Sequence, residues 1–128
     1  VTPLLFAAIC IAGGVGANLR FLIDGLVRAR TRTTYPLGTT IINVTGSLLL
    51  GAITALGMTA ALSDEYRLVI GVGLLGGYTT FSTASFETIR LAQQRRVIAA
   101  VANGVGMLVI SVAAAAAGYA LTALASGP

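Results

Sequence analysis

Gly76-Gly77-Tyr78-Thr79-Thr80-Phe81-Ser82-Thr83-Ala84-Ser85 lies inside an uncharged run, and its reading decides the fold. The run extends from residue 68 to residue 86, close to the length that crosses the hydrocarbon core of a bilayer once as a helix. The quoted stretch begins nine residues after Arg67, roughly 14 Å of helix rise, which sets it near mid-depth. A straight helix absorbs one or two hydroxyl side chains by bonding them back to its own carbonyls. Here two adjacent glycines precede Thr79, Thr80, Ser82 and Thr83, and that coincidence predicts an interrupted helix. Irregular backbone at this depth is tolerated only under a cover of protein or along a water-filled path. Carbonyls freed at the end of the first half-helix suit a cation, and amides and hydroxyls beyond the break suit an anion.

The rest of the chain fits a membrane frame. Its 128 residues are 56% hydrophobic and 9% charged, too little charge to cover the surface of a soluble domain. Residues 1–19, 33–63 and 97–128 are also uncharged. Four spans follow, near 4–26, 37–61, 67–91 and 97–124, in a single four-helix transmembrane domain covering 1–128. The first apolar run lacks a basic leader and reads as a retained span. Pro36 suits the start of the second helix, and Ser63 with Asp64 and Glu65 suits the start of the third.

All eight basic residues are arginine, and they set the orientation. With four spans, the first and third connections share a side, carrying Arg28, Arg30, Arg32, Arg90, Arg95 and Arg96. The other side carries Arg67 beside Asp64 and Glu65. The positive-inside bias places the Arg-rich loops in the cytoplasm and both termini outside. Dispersed arginines with few aromatics are not a nucleic-acid footprint. Cys10 reads as a small buried hydrophobe. With no histidine, one cysteine and four scattered acids, most metal and acid–base sites are excluded, and no enzyme is expected.

Polar residues elsewhere point at the same region. Thr39, Asn43 and Ser47 share one face of the second helix, and an asparagine in hydrocarbon needs partners, either as helix–helix glue or as a pore group. Arg20 closes the first span, snorkelling to the interface or lining an anion vestibule. Glu87 and Arg90 are spaced for a local pair. Gly13 with Ala17, Gly73 with Gly77 and Ala102 with Gly106 are small-residue pairs suited to close helix packing.

Three blocks carry a family resemblance: Gly13-Gly14-Val15-Gly16-Ala17-Asn18-Leu19-Arg20, Gly38-Thr39-Thr40-Ile41-Ile42-Asn43-Val44-Thr45-Gly46-Ser47 and Gly73-Leu74-Leu75-Gly76-Gly77-Tyr78-Thr79-Thr80-Phe81-Ser82-Thr83. In order and spacing they resemble the motifs of the Fluc/CrcB fluoride channels. The resemblance implies an all-α membrane protein with a broken third helix, forming an antiparallel dual-topology dimer with two narrow pores. It implies passive export of fluoride through the cell membrane for fluoride resistance. By motif position, Asn43 is the pore amide, Phe81 presents its ring edge to fluoride, and Ser82 and Thr83 are polar neighbours. Arg20 stands near the vestibule, and the backbone carbonyls of Gly76 and Thr79 hold a structural sodium ion at the dimer axis. The implied partners are fluoride, membrane lipid and a second subunit.

Two departures stand out. The family usually continues Thr-Phe-Ser-Thr-Phe, but Ala84 takes the place of the second phenylalanine, and Phe86 is about 200° away around a helix. On the fourth helix, Met107 interrupts a polar track between Asn103 and Ser111. With the charge bias, Ala84 favours a heterodimer in which a homologous partner has the opposite orientation. A non-conducting partner subunit is an alternative. A small proton-coupled exporter is a further one, but it needs a carboxylate within the membrane, for which Glu87 is the weak candidate.

Overall fold

A computed structural model describes residues 1–127. Four helical spans are long and apolar enough to cross a membrane: Pro3–Arg30, Leu37–Met58, Asp64–Gln93 and Val97–Ser126. The third divides in two. Helix α1 is Pro3–Arg30, α2 is Leu37–Met58, α3 covers residues 64–78, α4 is Phe81–Gln93 and α5 is Val97–Ser126.

Local chemistry fixes the ends. Thr2 caps α1 by accepting the Leu5 N–H at 3.1 Å, ahead of Pro3 in the first turn. At its other end α1 runs one turn beyond the expected boundary, to Arg30. Arg28 and Arg30 there complement the negative helix end, and Arg28 Nε pairs with the Asp24 carboxylate one turn back at 3.0 Å. Helix α2 stops at Met58, three residues short of the expected end, and the chain turns with Ala60 at φ 57°. Ser63 caps α3, with Asp64 and Glu65 in its first turn.

The predicted interruption is present. Thr79 (φ −78°, ψ 159°) and Thr80 (φ −150°, ψ 120°) are extended, and the helix resumes at Phe81. Two wide-turn π segments, Leu68–Leu75 and Ala102–Gly106, flank this region on the third and fourth spans.

Glycine decides how closely the helices approach. A Cβ on Gly16 would run into the Leu74 carbonyl, and one on Gly77 into the Gly13 carbonyl, so α1 and α3 meet backbone to backbone. The expected Gly73 and Gly77 pair belongs to this contact. Ala102 and Gly106 do not pack as expected: both are exposed, and nothing lies within 4 Å of a Cβ on Gly106. Helices α2 and α5 instead cross at Gly51, against the Ala115 carbonyl, and at Gly118, against the Leu48 carbonyl. The first and third connections share one end, where Arg96 Nη1 donates to Thr34 Oγ1 at 2.8 Å. Cys10 is exposed on the outer face of α1, not buried as expected.

Candidate functional site

The break is held open by one side chain. In a continuous helix the Thr80 N–H would bond to the Gly76 carbonyl. Here it donates to Asn43 Oδ1 at 2.8 Å, while Asn43 Nδ2 donates to the Thr80 carbonyl at 2.8 Å. One carboxamide from α2 therefore satisfies both backbone groups of a buried residue at the discontinuity. Thr80 also restarts the helix: its Oγ1 accepts the Thr83 N–H at 3.1 Å as the cap of α4, donates to Thr83 Oγ1 at 3.0 Å, and lies 3.3 Å from Ser82 Oγ. On the other side, Thr79 N–H and Oγ1 both donate to the Leu75 carbonyl at 2.9 Å. Tyr78, 8% exposed, braces the end of α3 through its hydroxyl, 3.0 Å from Thr45 Oγ1.

A cavity of about 570 Å³ opens beside this clasp, lined by Asn43, Ser47, Gly76, Thr79, Phe81 and Ala84, and on α5 by Asn103, Met107 and Ser111. The structure brings Asn43, Phe81, Gly76 and Thr79 together around one cavity, while Ser82 and Thr83 are not among its lining residues and reach it through their bonds to Thr80. Arg20, half-buried on α1, is not among the lining residues. Phe81 is 86% exposed, so its ring stands on an uncovered face. Ala84 lines the cavity and Phe86 does not. The Asn103–Met107–Ser111 track is real in space. Met107 Sδ takes a 3.2 Å contact from Asn43 Nδ2, a weak acceptor against a strong donor. Asn103 Nδ2 bonds Thr88 Oγ1 at 2.9 Å, but among the described residues Asn103 Oδ1 and Ser111 Oγ are buried without a partner, both residues lining the same cavity.

With the geometry in place, comparison with known proteins decides the family. The family description "CrcB-like protein, Camphor Resistance (CrcB)" matches residues 7–119. The chain belongs to the CrcB family. A Leifsonia xyli subsp. xyli protein named fluoride-specific ion channel FluC 1 is 52% identical over 128 residues, covering 100% of this chain and 93% of its own length. Relatives named fluoride-specific ion channel FluC 2 include one from Mycolicibacterium paratuberculosis, 42% identical over 96% of this chain and 98% of its own length. Another, from Cutibacterium acnes, is 47% identical over 88% of this chain and 93% of its own length. Like its family, this CrcB chain is a multi-pass membrane protein and not an enzyme.

A second polar group lies toward the Arg-rich end of this CrcB chain. Thr39, 2% exposed, donates to Glu87 Oε1 at 2.9 Å, and Arg28 Nη2 is 3.9 Å from the same oxygen. The expected Glu87–Arg90 pair does not form. Glu87 turns inward toward α2 and α1, whereas Arg90 is exposed. In the adjoining loop, burial and then the Glu87 charge push the Tyr35 phenol above its usual pKa. The residue that sequence reading missed is Thr80, the centre of the clasp. Its signal was a hydroxyl at the cap position three residues before Thr83 and three residues after Gly77.

Proposed function

We infer that this chain is a fluoride channel subunit that lets the ion leave the cytoplasm passively. The observation that carries the reading is the Asn43–Thr80 clasp: a helix break at mid-membrane, built from neutral donors beside an uncovered phenylalanine, in a CrcB chain. Fluoride is small and strongly hydrated, so a pore must replace its water with fixed donors. Amide N–H, hydroxyl and the positive edge of an aromatic ring each supply one. Ser82 and Thr83 offer hydroxyls bonded to Thr80 at the break, and Asn103 and Ser111 extend the polar lining along α5. Passage also requires that the ion be held weakly enough to leave.

An irregular backbone beside a cavity lined by Asn43, Asn103 and Ser111 is poor material for lipid contact, which supports a second subunit covering the cavity. In the antiparallel dimer we propose, Arg20 serves the vestibule. Sodium fits the end of α3. The Gly76 carbonyl has lost its helical N–H partner to Asn43, and nothing lies within 4 Å of a Cβ placed on Gly76. The Gly76 and Thr79 carbonyls would then give a hard cation neutral oxygens at the negative end of a half-helix, with matching oxygens from the partner. A bound sodium would lock the two breaks together. The concentration of arginine at one end supports a fixed orientation, and hence a homologous partner of opposite bias in a heterodimer.

Fluoride efflux from proteoliposomes containing this chain alone tests the reading. Efflux that is lost in both Asn43→Ala and Phe81→Ile supports it. Unchanged efflux in both variants refutes the site. No efflux from the chain alone, restored by a homologous subunit, assigns it to the heterodimer.

A further inference from the structure

Away from the clasp, a second groove of about 600 Å³ lies where α4 hands over to α5, with Tyr35, Arg95, Arg96, Val97 and Ile98 in its wall. Neither Arg95 nor Arg96 forms an ion pair among the described residues. Arg96 is steered by its 2.8 Å bond to Thr34 Oγ1 across the loop. Arg95 is held in an unfavourable backbone. Its N–H bonds the Ala92 carbonyl and the Arg96 N–H bonds the Leu91 carbonyl, both at 3.0 Å, the paired closure of a helix end whose left-handed position normally takes glycine. Arg95 occupies that position at φ 61°. An arginine kept where glycine is conformationally better points to a use for its guanidinium.

The setting identifies the ligand. The arginines lie in the short connection between the third and fourth membrane spans, the part of a spanning chain that meets the headgroup region. Directly beyond them, Val97, Ile98 and Val101 are 63%, 87% and 56% exposed, an apolar wall facing outward. We propose that this groove binds the phosphate headgroup of an anionic lipid, with Arg95 and Arg96 on the phosphate and an acyl chain along Val97, Ile98 and Val101. Arginine suits the task because its planar fork meets phosphate oxygens in pairs. A free phosphate would satisfy the arginines but leave the apolar wall unused, and the continuity of charge with apolar surface favours lipid. The site is independent of the ion pathway. It would fix one end of the chain to an anionic leaflet, adding a lipid contribution to the charge bias that orients it.

The test uses the purified full chain in zwitterionic detergent, titrated with phosphatidylglycerol and with phosphatidylcholine, binding read by native mass spectrometry. Each arginine near a phosphate contributes about fivefold, so the expected preference for phosphatidylglycerol is about thirtyfold. The double variant Arg95→Gln with Arg96→Gln should abolish it, whereas Arg30→Gln with Arg32→Gln should retain most of it. Arg95→Gly separates ligand binding from folding: the preference should fall about fivefold while the folded-to-unfolded ratio rises about fivefold as the strain is relieved. Equal binding of the two lipids by the unaltered chain would overturn the proposal. So would equal losses in the two double variants, which would mean a diffuse field and no site. Glycerol phosphate that displaces the lipid at matched concentration would overturn the assignment to lipid.

Discussion

Replacing Asn43 by alanine should cost both stability and conduction, because the clasp gives the amide two roles. Its two 2.8 Å bonds go to the N–H and carbonyl of Thr80, a residue 8% exposed. With the amide gone, both backbone groups are left at a depth where water is scarce. In soluble interiors a stranded group costs about 1–3 kcal/mol, an upper range for the pair of about 6. Side-chain hydrogen bonds within membranes measure lower, averaging about 0.6 kcal/mol, because the unfolded chain in the bilayer finds substitutes. Two such bonds give a floor of about 1 kcal/mol. Thr80 has no second partner for its N–H in the described structure, which places the expectation between these limits, at about 1–3 kcal/mol. Reversible unfolding in mixed micelles, followed by far-ultraviolet circular dichroism because the chain has no tryptophan, reads this as an earlier midpoint. Asn43→Asp keeps an acceptor for the Thr80 N–H in either protonation state, but only the protonated carboxyl has an O–H to donate to the Thr80 carbonyl. It should lie close to the unaltered chain in stability at a pH where the new carboxyl is protonated, and fall below it once the carboxyl ionises and the donor is lost. A normal unfolding midpoint for Asn43→Ala, with efflux lost, would refute the structural half of the argument: the amide would then be a pore group alone.

Other expectations are simpler. Gly77→Ala drives a methyl into the Gly13 carbonyl and should destabilise the α1–α3 contact by about 1–3 kcal/mol, whereas Gly14→Ala, with nothing within 4 Å, should be neutral or slightly stabilising in the same unfolding assay. Thr80→Val removes the cap of α4 and should cost about 1 kcal/mol by the same measurement, with Thr80→Ser close to the unaltered protein. Met107→Ser replaces a thioether by a hydroxyl in the polar track and should raise fluoride efflux severalfold in liposomes; unchanged or slower efflux would show that Met107 does not limit passage.

The parts of this protein that were legible in its sequence are those where polarity and apolarity collide. Four uncharged runs gave four spans, and a glycine pair followed by hydroxyls gave the break at Thr79 and Thr80, because few other combinations disrupt a helix in hydrocarbon. Asn43 was identifiable for the same reason. What it bonds was not, since a carboxamide on α2 can reach several places and only the fold puts Thr80 opposite it. Glu87 illustrates the limit of local spacing. Its neighbour Arg90 is three residues away, yet Thr39 and Arg28 claim the carboxylate, because inward rotation of α4 outweighs an exposed pair worth a few tenths of a kcal/mol. The π segments at Leu68–Leu75 and Ala102–Gly106 left no mark in composition, being choices among nearly equal hydrogen-bond registers settled by packing. They matter because each lies just ahead of a key residue, the first before the break and the second across Asn103 and up to Met107. A wide turn rotates whatever follows it. The four-residue spacing of Asn103, Met107 and Ser111 was readable along the chain, but that this track faces the Asn43 clasp is settled by packing across the wide turn.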